Sequence, residues 1–390
     1  MRRVCGLDVH KDNIFVCILG ENCEKIEFKS GILTVELDSF RDKLVNLGVG
    51  EVAMESTSVY WMPVWRILSG DFRLYLVNPL AIKQLPGRKS DVKDAEWIAT
   101  CLLKDLIRGS FVPEERVQQL RQYSRRLFDL NKQSVYVQNK MDAALQRCNI
   151  RLSNYVSNVD TKTYREVLLL LCEGETNPEE LIGKVHTRII NRHGRDTILA
   201  SLTGVVSQAD TDMFRQLNDE LGLLRQHREQ CQMGMLEICQ REFPKEFALI
   251  SEVPGISAQS ATQILAEIGG DMNMFPSAST LVSWAGLKPR NDNSNGKIKS
   301  RKVTHGNKYL KKILVECSWA ASRTQGCFFN RFSYRMVNQR KKSRLKVQVA
   351  IARKLLVVIW NILAKGIAYT DYQKVQKISE IDHRNPEGGR

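Results

Sequence analysis

Four acidic residues near the start of the chain have the types and spacing that metal-dependent chemistry requires. Asp8 lies in one apolar run, Glu55 ends a second, and Asp91 and Asp94 open a segment with helical periodicity. A carboxylate in an apolar strand is costly unless it is paired or binds a cation. Carboxylate oxygens suit Mg²⁺ or Mn²⁺. The four residues therefore predict one cation site for phosphodiester chemistry, although acids such as Asp91 also complement a helix N-terminus.

The charge balance indicates a polyanionic partner. The 390 residues include 58 Lys and Arg against 43 Asp and Glu, a net charge of +15, and hydrophobic residues make up 43%. Clustered cations favour nucleic acid, because phosphate contacts release counterions. We see no signal peptide and no membrane-spanning run, and the ten cysteines lack metal-ligand spacing. We therefore expect a cytoplasmic protein with reduced thiols.

The first 112 residues predict an α/β domain of RNase H-like order. Three β-prone runs lead, and alternating helices and strands follow. The predicted strands are Val4–Val9, Ile14–Leu19, Lys25–Lys29, Glu51–Glu55 and Arg73–Val77. The predicted helices are Val35–Leu47, one that follows a Ser56-Thr57 cap and ends at Leu68, and one with an apolar stripe from Val92 to Leu106.

The rest of the chain is predicted to be mainly helical. Residues 113–245 contain two long helices, over 114–151 and Asp210–Arg241, separated by a less regular segment near Asn154–Val205. We expect them to form a coiled-coil arm for dimerisation, an arm that grips nucleic acid, or an arm that does both. Residues 246–378 form a third domain, and residues 379–390 a disordered tail. Ile250–Ser257 is similar to a helix-hairpin-helix turn, whose amides can bind phosphate, but an ordinary helical turn fits equally well.

Two dense basic stretches favour a surface that contacts phosphate over a merely solvated face. Between Lys288 and Lys312 there are nine basic residues and one acid, and between Arg331 and Lys354 nine basic residues and no acid. A polar loop, Asn291–Lys297, lies in the first stretch, and a helix, Leu345–Ala364, extends from the second. The residues expected to contact nucleic acid are Arg121, Arg125, Arg126, Lys297, Lys299, Arg301, Lys302, Lys308, Lys311, Lys312, Arg340, Lys341 and Lys342.

The sequence resembles the DEDD-type transposases of the IS110 insertion sequences, which are described as bridge-RNA-guided recombinases. The resemblance is carried by two blocks of short motifs, which occur in matching order over about 300 residues. The motifs are Gly6–Lys11, Met54–Trp61, Val77–Pro79, Lys89–Ala95, Pro254–Ile256, Phe275–Ala278, Ser283–Pro289, Ser294–Lys297 and His305–Leu310. Two departures are Pro-Gly-Ile-Ser in place of Pro-Gly-Ile-Gly and Ser-Asn-Gly-Lys in the polar loop.

This resemblance implies a RuvC-like first domain with Asp8, Glu55, Asp91 and Asp94 as metal ligands. It implies a C-terminal transposase domain whose loop serine, Ser294, is the nucleophile, with Ser300 as the alternative. Element-end and target DNA, a guide RNA and a dimer or tetramer are the implied partners, in a prokaryotic, nucleoid-associated setting. Because the metal ligands and the serine are far apart in sequence, we expect a composite site from docked domains.

Three functions remain open from the sequence. A recombinase conserves bond energy through a covalent protein–DNA link, which a side-chain oxygen such as that of Ser294 can form. A metal-dependent nuclease of the Holliday-junction-resolvase type would use water instead, with Ser294 only contacting phosphate. A non-catalytic RNA- or DNA-binding scaffold would use the acids only structurally.

Overall fold

The chain forms two compact units, Met1–Val112 and Pro113–Arg390. The computed structural model describes residues 2–56, 58–79, 82, 94–107, 109–289, 292–294, 297–300, 303 and 305–370. The predicted division of the second unit into an arm (113–245) and a transposase domain (246–378) stays a prediction. The predicted tail, residues 379–390, lies outside the described residues.

A five-stranded mixed sheet forms the centre of the first unit. Its order is β3-β2-β1-β4-β5, where β1–β2 and β2–β3 pair antiparallel while β1–β4 and β4–β5 pair parallel. This order confirms the predicted α/β class and is consistent with an RNase H-like fold. The strands are β1 (Arg3–Val9), β2 (Ile14–Gly20), β3 (Lys25–Ser30), β4 (Glu51–Glu55) and β5 (Arg73–Val77).

Helices cover both faces of this sheet because β1 and β4 are apolar on both sides. Helices α1 (Thr34–Asn46) and α2 (Trp61–Leu68) pack on the face that includes Leu7 and Met54. Helix α3 (Asp94–Leu103) packs on the opposite face.

Two helix boundaries in the first unit differ from the expectation. Helix α2 begins at Trp61, after Tyr60 in helical conformation, and not directly after Ser56. Thr57, the other expected cap residue, lies outside the described residues, as does Val92 of the predicted stripe. Leu106, the last member of that stripe, follows the end of α3. Apolar spacing therefore located these helices but not their ends.

The second unit begins with helix α4 (Glu115–Arg147), which pairs antiparallel with a later helix, α9 (Gln208–Glu242). Ion pairs mark both ends of the pair: Arg116 lies 2.5 Å from Glu242, and Arg147 lies 2.5 Å from Asp210. The buried residues of α4 recur every three or four positions, the spacing of a helix–helix seam. The pair lies within one chain, and an arm that binds a second copy stays a prediction.

The segment expected to be less regular is a small helical subcore. It contains α5 (Lys162–Glu173), α6 (Pro178–Ile182), α7 (Thr187–His193) and α8 (Arg195–Leu202). Thr and Asn side chains cap two of these helices: the Oγ1 of Thr161 accepts from the amide of Tyr164, and the Oδ1 of Asn177 accepts from that of Glu179.

The remaining elements belong to the predicted third domain. A 3₁₀ turn (Met272–Met274) precedes a short helix here, because the side chain of Ser277 caps a new helix start. The elements are α10 (Pro244–Ser251), α11 (Ala258–Ile268), α12 (Ala278–Trp284), β6 (Asp292–Ser294), β7 (Lys297–Ser300), α13 (Lys308–Arg323), α14 (Phe328–Tyr334), a π-helical turn (Arg335–Gln339) and α15 (Arg344–Lys365).

Helix α15 is the one helix, within the part of the chain that the structure describes, with the length and hydropathy to cross a membrane. Sequence inspection had found no such run, because Arg353 and Lys354 interrupt the apolar residues. Half of its apolar window is buried inside the protein, against α12 and α13 among others. That burial is typical of a core helix.

Candidate functional site

Asp8 and Glu55 lie at adjacent strand ends on the same face of the sheet. Strands β1 and β4 run parallel, with Gly6 opposite Ala53. Because side chains alternate between faces, residues two positions further on, Asp8 and Glu55, share the face of Gly6 and Ala53. Helix α3 covers that face. The sheet register therefore brings two of the four predicted ligands to one edge.

Asp94 approaches this edge from the first residue of α3. The helix lies directly on β1 at Gly6, where an added Cβ would be 2.2 Å from the carbonyl oxygen of Ala95 and 2.4 Å from the nitrogen of Ala99. Only glycine permits so close an approach. Asp8 and Asp94 line one cavity of about 600 Å³, together with Glu27 of β3.

His10 is a neighbour of Asp8 that the sequence analysis did not single out. Its Nε2 lies 3.0 Å from Oδ2 of Asp8, and its ring meets Phe15 edge to face at 5.6 Å. The side chain of Asp8 is 23% exposed and that of His10 53% exposed, so solvent reaches both members of the pair. The signal in the sequence was a histidine two residues beyond the aspartate, in the turn between β1 and β2.

The chemistry of these donors suits a hard divalent cation. Asp8, Glu55 and Asp94 offer carboxylate oxygens, the ligands of Mg²⁺ and Mn²⁺. Asp91 lies outside the described residues. Among the residues that the structure describes, no three His, Cys, Asp or Glu side chains gather closely enough to hold a metal. The types of side chain and their positions on the sheet thus fit a divalent cation, and the set of ligands stays a prediction.

Ser294 lies on a β-hairpin, where the sequence analysis had predicted a loop. Strands β6 and β7 pair antiparallel, with Ser294 opposite Lys297 and Asp292 opposite Ser300. Ser294 is therefore at the turn end of the hairpin, and Ser300 is at its base. Asn295 and Gly296, the residues between the strands, lie outside the described residues. The mostly polar composition of this segment did not predict strands, because the pairing is defined by backbone hydrogen bonds.

Two of the motifs meet at the base of this hairpin. Pro289 and Val303 form an isolated antiparallel bridge, and an added Cβ at Gly306 would lie 2.2 Å from the nitrogen of Gly286. The amide of Asn307 donates to the carbonyl of Trp284 at 3.0 Å. The segments before and after the hairpin are thus closely packed backbone to backbone, and this packing fixes where the hairpin begins.

Glu267 is a buried carboxylate beneath this base, and the sequence analysis missed it. Its side chain is 0% exposed, and its Oε2 accepts from Nδ2 of Asn307 at 2.6 Å. Asn307 also caps α13, since its Oδ1 accepts from the amides of Tyr309 and Leu310 at 3.0 Å. The available signal was an acid inside the apolar run of α11.

Arg121 has an internal role in this structure, which corrects its assignment as a phosphate contact. Its guanidinium donates to the carbonyls of Ala266 at 3.0 Å and Glu267 at 2.6 Å, at the end of α11. Burial lowers the pKa of Arg121 to about 10, while nearby Glu267 opposes that shift. Helical periodicity could not reveal that this arginine faces another helix end.

Other predicted contacts lie at the surface. Arg125, Lys308 and Lys312 surround Tyr309 and Phe128. Lys311 is half-buried, whereas Arg126, Arg340, Lys341 and Lys342 are exposed. The structure describes only the backbone of Lys297 and Lys299, while Arg301 and Lys302 lie outside the described residues.

The turn compared with a helix-hairpin-helix is packed against its own unit. Gly255 has φ +86°, and an added Cβ would lie 2.4 Å from the nitrogen of Ala321 in α13. A helix therefore covers this side of the turn, which favours the interpretation as an ordinary helical turn.

Two transposase family models match the chain. A model described as "Transposase", for the DEDD type of IS110 elements, matches residues 5–150. A second, described as "Transposase IS116/IS110/IS902 family", matches residues 247–333. The first match contains all four predicted metal ligands, and the second contains the serine hairpin and the base on which it stands.

Curated relatives agree with these models. The chain is 31% identical to the pilin gene-inverting protein of Moraxella bovis over 137 residues, 35% of this chain and 42% of the relative. It is 30% identical over 126 residues to a putative transposase, y4pF/y4sB, of Sinorhizobium fredii, 31% of this chain and 32% of the relative. The alignments thus span less than half of these relatives. From the two family models, which match separate parts of the sequence, we conclude that the chain belongs to the IS110 transposase family.

Proposed function

We propose that this protein is a transposase that cuts and rejoins DNA through a phosphoserine intermediate at Ser294. The observation that supports the proposal is the position of Asp8 and Glu55 at adjacent strand ends on one face of the sheet, with Asp8 and Asp94 lining one cavity. The family match supports it, because the same chain also contains the serine motif.

Asp8, Glu55, Asp91 and Asp94 would hold the divalent cation. Such a cation supplies Lewis-acid stabilisation of the charge that develops on a reacting phosphate. His10, hydrogen-bonded to Asp8, orients that carboxylate toward the cavity. The same acids would repel DNA phosphate without a cation, so the carboxylates serve the reaction and the basic surfaces serve binding.

Ser294 supplies the nucleophile. Its Oγ–phosphorus bond forms while the bond from phosphorus to the adjoining deoxyribose oxygen breaks, and the serine gives up its proton as that oxygen gains one. A strand hydroxyl then attacks the phosphoserine, which reverses these changes on a new partner. The number of ester bonds is conserved, so rejoining needs no external energy source.

The relatives favour rejoining over simple cleavage. Two of them are named as pilin gene-inverting proteins, and inversion of a DNA segment requires that every cut end is joined again. The family resemblance implies a structured guide RNA as a partner besides DNA, and the net charge of +15 suits contact with both polyanions. Strand exchange between two DNA sites suits a dimer or tetramer.

A covalent trap tests the function. The protein is incubated with copurified RNA, labelled DNA and Mg²⁺, denatured, and examined for a DNA-shifted band, whose modified residue is mapped by mass spectrometry. Ser294→Ala should lose the adduct and recombination, whereas Ser300→Ala, on the paired strand, should keep both. An adduct on Ser300 would move the nucleophile to the hairpin base. Cleavage by Ser294→Ala at the unmodified rate would instead establish the metal-dependent nuclease.

A further inference from the structure

A polar cavity lies among four helices of the second unit. Helices α4, α9, α11 and α13 enclose a volume of about 300 Å³. Its charged and amide side chains are Asn131 of α4, Arg228 of α9, Gln263 of α11, and Lys312 and Glu316 of α13, and Ser124 of α4 adds a hydroxyl. None of these helices carries the carboxylates or Ser294. The cavity is therefore separate from the residues of the proposed reaction.

Arg228 gives the cavity an unmet hydrogen-bond donor. Its Nε is buried, and no described group lies within hydrogen-bonding distance of it. A buried donor without an acceptor carries a desolvation penalty, and an anionic or carbonyl oxygen in the cavity would remove it.

Two aromatic rings line the cavity with Arg228, and four cations lie near those rings. Phe128 and Tyr309 line the cavity and meet edge to face at 5.0 Å. The amines of Lys132 and Lys312 lie 4.4 and 4.8 Å from the centre of Phe128. The guanidinium of Arg125 and the amine of Lys308 lie 4.8 and 5.1 Å from that of Tyr309.

Carboxylates neutralise these cations only weakly. The shortest ion pairs are 3.8 Å from Lys132 to Asp129, 3.9 Å from Lys312 to Glu316 and 3.9 Å from Arg125 to Glu267. These separations exceed hydrogen-bond length, so positive charge remains available to phosphate. The combination of aromatic rings, amide groups and cations is the one that binds unpaired nucleotides.

We propose that this cavity binds one unpaired nucleotide of a single-stranded nucleic-acid segment. Arg228 and Lys312 contact its phosphate, the amides of Asn131 and Gln263 contact the polar edge of its base, and Phe128 and Tyr309 give that base an apolar surface. A base-paired nucleotide would first have to leave its stack, so duplexes are disfavoured. The proposal rests on the proposed function only in taking nucleic acid as the partner.

Binding by fluorescence anisotropy tests this site without any strand cleavage. The probes are a fluorescein-labelled single-stranded RNA, a DNA strand of the same sequence, and the duplex of that DNA. Arg228→Met should weaken single-strand binding about tenfold and duplex binding much less. Arg228→Lys should restore part of the affinity, because it returns the charge but not the Nε donor. The control is Arg225→Met, on the same helix, whose arginine pairs with Asp160 at 3.2 Å.

A second measurement uses the unmodified protein, so it does not depend on whether a variant folds. Iodouridine in the single strand should crosslink on illumination to Phe128 or Tyr309, located by mass spectrometry. Unchanged single-strand affinity in a folded Arg228→Met protein, or crosslinks confined to other helices, would overturn the proposal. Equal losses on single strand and duplex would do the same. Recombination by Ser294→Ala would refute the proposed function alone.

Discussion

Nδ2 of Asn307 lies 2.6 Å from a carboxylate oxygen of Glu267, a side chain with no exposed surface. Because Asn307 also caps α13 and bonds to Trp284, this one hydrogen bond links α11 to the base of the serine hairpin. Arg121 binds the carbonyl of the same glutamate. The hairpin thus stands on a buried polar network and not on apolar packing alone.

Removal of the Glu267 carboxylate should destabilise the protein. Glu267→Ala leaves the Asn307 amide and the Arg121 charge without their buried partner, and we expect a loss of about 3 kcal/mol in the free energy of unfolding. Glu267→Gln keeps an acceptor for Asn307 and should lose less. Urea unfolding measures both, with the exposed Glu316→Ala as control. Equal stability of Glu267→Ala and Glu316→Ala would contradict the role of the network.

The carboxylates at the sheet edge should be required for chemistry and not for binding. Asp8→Asn and Asp94→Asn should abolish recombination while DNA affinity stays within about twofold, because loss of an acid lessens repulsion of phosphate. Mg²⁺ or Mn²⁺ should support turnover, and Ca²⁺ should permit assembly with little turnover. Asp12→Asn, in the exposed turn after β1, is the matched control. Full recombination by Asp8→Asn in chelator would refute the metal assignment.

Nucleic-acid binding should weaken with salt in proportion to the phosphates contacted. On duplex DNA, log K should fall against log salt with a slope of about −0.9 for each contact. Charge reversal at Arg340, Lys341 and Lys342, and separately at Lys311 and Lys312, should each flatten that slope. Reversal of the exposed Lys162, outside both basic stretches, serves as control. A slope that neither set changes would remove these residues from the binding surface.

Acid should loosen the junction of the two long helices. The hydroxyl of Ser207, then its backbone amide and Arg147, lower the pKa of Asp210 from 3.8 to about 2. The folded pKa lies below the unfolded one, so this stabilisation is present above about pH 4 and is lost as pH falls through 2. Asp210→Asn should therefore melt at a lower temperature at pH 7 and match the parent near pH 2. The control is Asp212→Asn, which replaces an exposed acid two residues away and should change the melting temperature little at either pH.

Some features were predictable because one local rule decided them. Short runs of apolar, β-prone residues predicted strands β1 to β5, and the observed pairing of β1 with β4 puts Asp8 and Glu55 on one face. The hairpin of Ser294 was not predictable in this way, because its strands are only three and four residues long and contain one apolar residue. Arg121 was misassigned because spacing along α4 cannot distinguish a solvent-facing arginine from one that meets the end of α11. Glu267 was detectable by the argument used for Asp8, an acid among apolar neighbours, but that argument was not applied to helices.

The contact of α3 with Gly6 has a consequence for the choice of acids at the sheet edge. The backbones of β1 and α3 are in direct contact there. Because no side chains separate the two elements, side chains as short as aspartate reach the shared cavity. A methyl group at position 6 would push α3 away from β1. Only a longer acid at position 94 could then reach the cavity. The side-chain length that position 94 needs to reach the cavity thus depends on a residue that has no side chain at all.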